Sequence, residues 1–249
     1  MAGMAAESAQ QGGALKRRAS LRFAAPTVVL LLCIAGLFAV SILSMKLGAV
    51  HLSWGEVWSG LTSDSDPLAR NIVWQIRFPR LLDAMIVGAA LAVSGALLQG
   101  VTRNPLADPT ILGVTAAAGL ASATVIVIDP RVPQWGIAAA CAGGGLVGAG
   151  VLFVIAYRGA VSPVRLALAG VALSAFFGAA IVGLLASSRT FLQTSLGFLA
   201  GGLYGSEWRD FRAMLPYIVP GFAGAMLLSG RLNILALGDD IAAGLGVVT

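Results

Sequence analysis

Arg77 and Arg80 stand three residues apart around Pro79 in the segment IRFPRLL. On a helical turn that spacing aims both guanidinium groups to one side, and a guanidinium's planar fork suits bidentate capture of carboxylates. The same pair also reads as plain anchoring at a membrane interface. Asp83 follows at once and is the only acidic residue inside an apolar span. A carboxylate in a membrane is costly and mostly functional, so a proton relay is one reading; its place one turn into the span favours the plainer one, exposure at the interface. His51 is the sole histidine, and alone in a loop it reads as a solvated side chain rather than a haem or iron ligand. Gly143, Gly145 and Gly148 spell GxGxxG, but a dinucleotide site needs a preceding strand and a βαβ unit, which an apolar helix does not supply. Gly144 with Gly148 reads instead as a small-residue helix contact, as do Gly197 with Gly201 and Gly201 with Gly205.

Other chemistries are excluded more simply. No GxxxxGK[ST] motif occurs and the lysines are Lys16 and Lys46 alone, so the chain cannot cradle and hydrolyse ATP in the P-loop manner. Cys33 and Cys141 fall in apolar runs, where they act as small apolar residues, and no CxxC pair exists. No catalytic constellation, cofactor or resident metal is implied. Hydrophobic residues make up 58% of the 249 and charged residues 11%, against roughly 25% charged in soluble domains. The chain is therefore a polytopic membrane protein. Its net charge of +5 comes from 16 basic residues scattered between apolar runs, which makes them interface anchors and not a nucleic-acid footprint.

The elements that must position these residues are membrane spans. Residues 1–22 are small and polar, a disordered cytoplasmic tail ending in Lys16, Arg17, Arg18 and Arg22. The apolar run 23–45 exceeds the roughly 7–15 residues of a signal peptide, so it is a retained first helix with a cytoplasmic N-terminus. Further spans are expected at 81–101, 110–128, 135–157, 164–186 and 211–228, six in all. This alternation puts Trp54, Trp58, Trp74, Trp135 and Trp208 on the outer side, and divides the basic residues equally between the two sides. In the first outer loop Ser53 and Glu56 form a capping box. The helix it opens carries Trp54, Val57, Trp58 and Leu61 on one apolar face, set to lie on lipid or on the helix tops. In the second span Gly88, Ala92 and Ala96 form a stripe that expects neighbouring helices. Arg103 and Asn104 then lead into Pro105 and Pro109, which break the helix and turn the chain back at Thr110. Residues 232–247 are too short to span. Ile234, Leu235 and Leu237 suggest one turn ended by Gly238; Asp239 caps a second, with Asp240 at its positive end and Ile241 and Leu245 on one face.

Read together and in order, IRFPR, GAALAVSGALLQG, RNPLADPTILGV, RLALAGVAL, GGLYGSEWR and LNILALGDDIAAGLGV resemble the permease subunit of ABC importers for iron-siderophores, haem and vitamin B12. The resemblance runs from about Ile76 to the last residue. It implies an all-α, polytopic transmembrane helix bundle of the type II ABC importer permease fold. Six of an expected ten spans are present, so the chain reads as truncated at its C-terminus. The implied function is ATP-driven import of an iron(III)-siderophore or related metal chelate across the bacterial cytoplasmic membrane. A separate ATP-binding subunit, an extracytoplasmic substrate-binding protein and pairing as a homodimer or with a homologous permease are implied as well. Residue by residue, Arg77 and Arg80 would be solvent-accessible and dock the binding protein. Asn104 and Leu106, with Ser162 and Pro163, would form the cytoplasmic gate, although similar permeases more often carry hydroxyl residues at the Pro163 point. Leu237, Gly238, Asp239, Asp240, Ile241 and Leu245 would couple to the ATPase through paired short helices. The rival is a proton-coupled carrier or intramembrane enzyme on a similar bundle; against it, no span carries the His, Glu or Lys sets such chemistry needs.

Overall fold

The computed structural model describes residues 26–63, 66–105, 107–157, 162–187, 201–203 and 205–246. The tail 1–22 with its basic cluster, and Leu106, expected at the gate, lie outside them. The described residues are helical with irregular connections and fall into two compact units, up to Leu81 and from Leu82.

The first unit holds α1 (Pro26–Lys46), α2 (Trp54–Thr62), α3 (Pro67–Asn71) and a π-helical turn, Ile72–Arg77. The capping box forms as the sequence predicts. Glu56 N–H donates to Ser53 Oγ at 3.2 Å, and Ser53 N–H donates to Glu56 Oε2 at 2.6 Å. Asp66 caps α3 through the Leu68 and Ala69 amides, with Pro67 at the first position, where no backbone N–H is needed. A small core of Met45, Leu52, Val57 and Val73 gathers Leu61, Ile72, Phe78 and Leu81 around it. Gly60 brings α2 onto α3, since a Cβ there would stand 3.0 Å from the Ala69 carbonyl oxygen. The expected single apolar face of α2 divides. Val57 is buried in the core, while Trp54 and Trp58 are exposed and the Lys46 ammonium sits 5.0 Å over the Trp54 ring.

The second unit is entered by α4 (Phe78–Thr102) and continues with α5 (Val114–Ile128), α6 (Gln134–Ala156), α7 (Pro163–Ser187), α8 (Trp208–Leu235) and α9 (Asp239–Gly244). The Gly144/Gly148 contact is present. An added Cβ would meet the Ala121 Cβ or the Ala117 Cβ at 2.4 Å, so α5 and α6 approach as only glycine allows. The second glycine reading is corrected: Gly201 and Gly205 have positive φ, 62° and 78°, in irregular chain before α8, with open space where a Cβ would go. Gly197 lies outside the described residues. The stripe on α4 is exposed, and nothing lies within 4 Å of a Cβ on Gly88.

Among the described residues five helices are long and apolar enough to cross a membrane, so this is a multi-pass membrane protein. The predicted span 110–128 is the exception. Its helix starts only at Val114, after Gly113 at φ 74°, and has 15 residues, about 22 Å at 1.5 Å per residue, short of the roughly 30 Å hydrocarbon core. The missing length is taken up by the turn before it, which is seated on α7. The Ser174 hydroxyl reaches the Thr110 and Ile111 carbonyls at 3.2 and 2.9 Å. A Cβ on Gly113 would meet Ser174 N at 2.9 Å, and one on Gly170 would meet Leu112 Cα at 2.8 Å. Ser174 lies midway along α7, so the turn carries the chain part of the way across before α5 begins. At the other end α8 runs on to Leu235 and absorbs the first of the two short helices expected in 232–247. Gly238, at φ 116°, not Asp239, is the cap of the second.

Overpacking the α5–α6 contact has a defined cost. Gly148→Val is expected to destabilise the chain by about 1–3 kcal/mol, whereas Gly143→Ala, with open space at its Cβ, leaves thermal unfolding in detergent unchanged or slightly raised.

Candidate functional site

The two arginines that open α4 differ sharply. Arg77 ends the π-helical turn, whose wide ring closes through Phe78 N–H to the Val73 carbonyl. Its guanidinium is buried, 8% exposed, and donates through Nη1 to the Met45 carbonyl and through Nη2 to the Val50 carbonyl. It thereby clasps the chain leaving α1, and Gly48 makes room for it: a Cβ there would stand 3.2 Å from Nη2. The expectation that Arg77 is solvent-accessible is corrected, because two orphan carbonyls beyond a helix end recruit the nearest multidentate donor. Arg80 is exposed.

Asp83 also departs from expectation. It is 1% exposed, not at an open interface. Ser206, whose hydroxyl donates to the Leu203 carbonyl at 3.1 Å, and Asp210, at the start of α8, are in its surroundings. Asp210 accepts from Glu207 N–H through Oδ2 at 2.9 Å. Oδ1 of Asp83 and Oδ1 of Asp210 are both buried and without a hydrogen-bond partner. His51 is exposed.

In the turn after α4, Asn104 and Pro105 are exposed. Further along, Thr110 donates to Asp108 Oδ1 from its amide at 2.7 Å and from its hydroxyl at 2.6 Å. These bonds hold the Asp108 carboxyl below its ordinary 3.8. Their support for the turn is complete above that value and is lost as pH falls through the lowered one. Ser162 is half-buried and its carbonyl accepts from Leu166 N–H at 2.9 Å; Pro163 is the first residue of α7.

Sequence reasoning treated Arg103 only as part of the lead into the turn. Its Nε–H donates to the Leu235 carbonyl at 3.0 Å, across 132 residues. The turn after α4 and the chain leading into α9 are thereby joined. The signal was present in outline, since a helix C-terminus leaves carbonyls that attract a cation, but which cation answers which helix end is a matter of tertiary placement. Past Leu235, Leu237, Ile241 and Leu245 recur every four residues and are 61%, 52% and 61% exposed, while Ala242 is fully buried.

Between α4 and α8 the helices stand apart. An apolar cavity of about 560 Å³ opens there, lined by Val93, Leu97 and Val101 of α4, Phe222 and Ala225 of α8, and Leu112 of the turn. No charged residue lines it, and its polar groups are those of Ser94, Thr115 and Tyr217.

Three comparisons place these features. Residues 32–249 match the model of the FecCD transport family. The Fe(3+)-citrate import system permease protein YfmE of Bacillus subtilis is 33% identical over 221 residues, covering 89% of this chain and 66% of that protein. The cobalamin import system permease protein BtuC of Halobacterium salinarum is 37% identical over 205 residues, 79% of this chain and 55% of its own. The chain thus spans two thirds or less of the length of these relatives. Among solved structures, a metal-chelate type ABC transporter in an inward-facing conformation superposes with TM-score 0.72 at 28% identity, over 89% of this chain and 68% of its own.

The contrast at the α4 start is testable. Arg77→Gln is expected to lower stability by about 1.5–3 kcal/mol, the worth of hydrogen bonds to a charged group, while Arg80→Gln stays within about 0.5 kcal/mol; thermal unfolding in detergent reads both. Asp83→Asn is expected to be neutral or stabilising by about 1 kcal/mol in the same assay, because it removes a buried charge whose Oδ1 has no hydrogen-bond partner.

Proposed function

This chain belongs to the FecCD transport family, and from that membership we propose that it is the membrane-spanning permease subunit of an ATP-driven importer for an iron(III)-siderophore or related metal chelate. It works in the bacterial cytoplasmic membrane with its N-terminus on the cytoplasmic side. It is not itself an enzyme: a separate ATP-binding subunit hydrolyses ATP, an extracytoplasmic binding protein delivers the chelate, and the permease pairs with a second copy or a homologous permease.

The observation that carries this reading is the exposed trio Leu237, Ile241 and Leu245. Ile241 in the helix, Leu245 at its end and Leu237 just before Gly238 expose three large apolar side chains around a helix too short to span, while Ala242 is buried, and such a patch suits a groove on a partner. The ATP-binding subunit is that partner. Gly238 sets the angle of the patch through its left-handed φ, and Asp239 and Asp240 stand at the positive end of α9.

Toward the binding protein, Arg80 in the first turn of α4 supplies an exposed guanidinium for a carboxylate on one lobe, while buried Arg77 holds the chain leaving α1. Asn104 and Leu106, together with Ser162 and Pro163, close the inner end of the pathway. The mostly apolar cavity beside α4 supports passage of a bulky chelate without tight capture, since no charged side chain lines it.

Ile241→Glu combined with Leu245→Glu is expected to abolish co-purification of the ATP-binding subunit while the permease remains folded; a subunit that stays bound removes α9 from the coupling role. Arg80→Glu is expected to weaken binding-protein docking roughly tenfold at low salt and less at high salt, as exposed charges steer association. Docking that is unaffected at low salt removes Arg80 from that interface.

A further inference from the structure

The Leu235 carbonyl is a node where three segments meet. It is the last carbonyl of α8, it accepts the Gly238 amide at 3.1 Å within the turn that leads to α9, and it accepts Arg103 Nε–H at 3.0 Å from the turn after α4. A helix C-terminus concentrates partial negative charge on carbonyls without intrahelical donors, so a guanidinium is the favoured partner there. Both lone pairs of this oxygen are then occupied. Arg103 has φ 51° and is the only non-glycine with positive φ among the described residues. An L-residue enters that region at a cost, and such conformations persist where surrounding contacts over-determine them.

We propose that Arg103 is the positioning residue through which movement of α9 reaches the Asn104–Pro105 turn. This deepens the reading above and rests on it, since it takes α9 as the ATPase contact and the turn as the gate. The physical step is short. Tilting α9 about Gly238 displaces the Leu235 carbonyl, and the guanidinium follows the oxygen because a charge-assisted bond is lost otherwise. Arg103 precedes Asn104 directly, so its backbone moves the turn with it. The far side of the turn stays fixed, since the Ser174 hydroxyl holds the Thr110 and Ile111 carbonyls to α7. The turn is driven at one end and anchored at the other.

The test uses the permease assembled with its ATP-binding subunit in lipid nanodiscs, with Cys33 and Cys141 replaced by serine and spin labels at Ala107 on the turn and Ala179 on α7. The wild-type label distance is expected to shift when ATP binds. Arg103→Gln is expected to leave the ATP-binding subunit bound but to reduce the shifted population roughly tenfold, the worth of one charge-assisted hydrogen bond. Arg103→Lys restores part of the shift. Arg103→Gly, which accepts the left-handed backbone without a guanidinium, behaves as Arg103→Gln. A wild-type shift that survives in both Arg103→Gln and Arg103→Gly overturns the inference alone, and one that survives in Arg103→Gly only makes the residue's role one of backbone shape and overturns it too. No shift in the wild type overturns the gate reading together with the inference built on it.

Discussion

The seating of residues 110–113 on α7 is the contact on which the second unit depends. In hydrocarbon an irregular backbone stretch is tolerated only where protein satisfies its polar groups. Ser174 does so at mid-helix for the Thr110 and Ile111 carbonyls, and Gly113 and Gly170 remove the two Cβ atoms that would hold the backbones apart. Because the turn descends that far, α5 can be 15 residues long and still complete the crossing. Against α6 it packs through small residues, Ala117 and Ala121 facing Gly148 and Gly144.

The first unit is held by a different device. Its core is small, four buried apolar residues, and the chain between α1 and α2 presents carbonyls that no helix satisfies. Arg77 satisfies Met45 and Val50 together, and the π-helical turn is the backbone irregularity that ends on it. One buried guanidinium here does what a longer hydrophobic contact does elsewhere. The two units thus share a logic: a single side chain with several donors, or one hydroxyl between two acceptors, replaces regular secondary structure at the points where the chain must bend.

A transporter needs both stiffness and give, and the distribution of contacts follows that need. Helices α5, α6 and α7 interlock through small residues and the buried apolar cluster of Leu152, Ala156 and Leu166, while α4 and α8 stand apart across an apolar cavity. Arg103 and Leu235 tie the C-terminal ends of those two helices.

Much of this was legible in the amino-acid sequence because it depends on local chemistry. A run of about twenty apolar residues crosses a membrane whatever surrounds it, Ser53 and Glu56 cap a helix by their own spacing, and glycines four apart within a span mark close helix contact. The motif order from Ile76 onward identified the family, and Ile241 and Leu245 were placed on one face of a short helix from their spacing alone. Tertiary structure decided the rest. Arg77 and Arg80 look equivalent in sequence, yet one finds two orphan carbonyls and is buried while the other is exposed. Asp83 was expected at an open interface and is covered near Ser206 and Asp210. The start of α5 moved from Thr110 to Val114 because α7 satisfies the turn, and Arg103 gained a partner 132 residues away. In each case a polar group's partner comes from another element, and periodicity carries no information about which carbonyl, hydroxyl or carboxylate the fold will bring within reach.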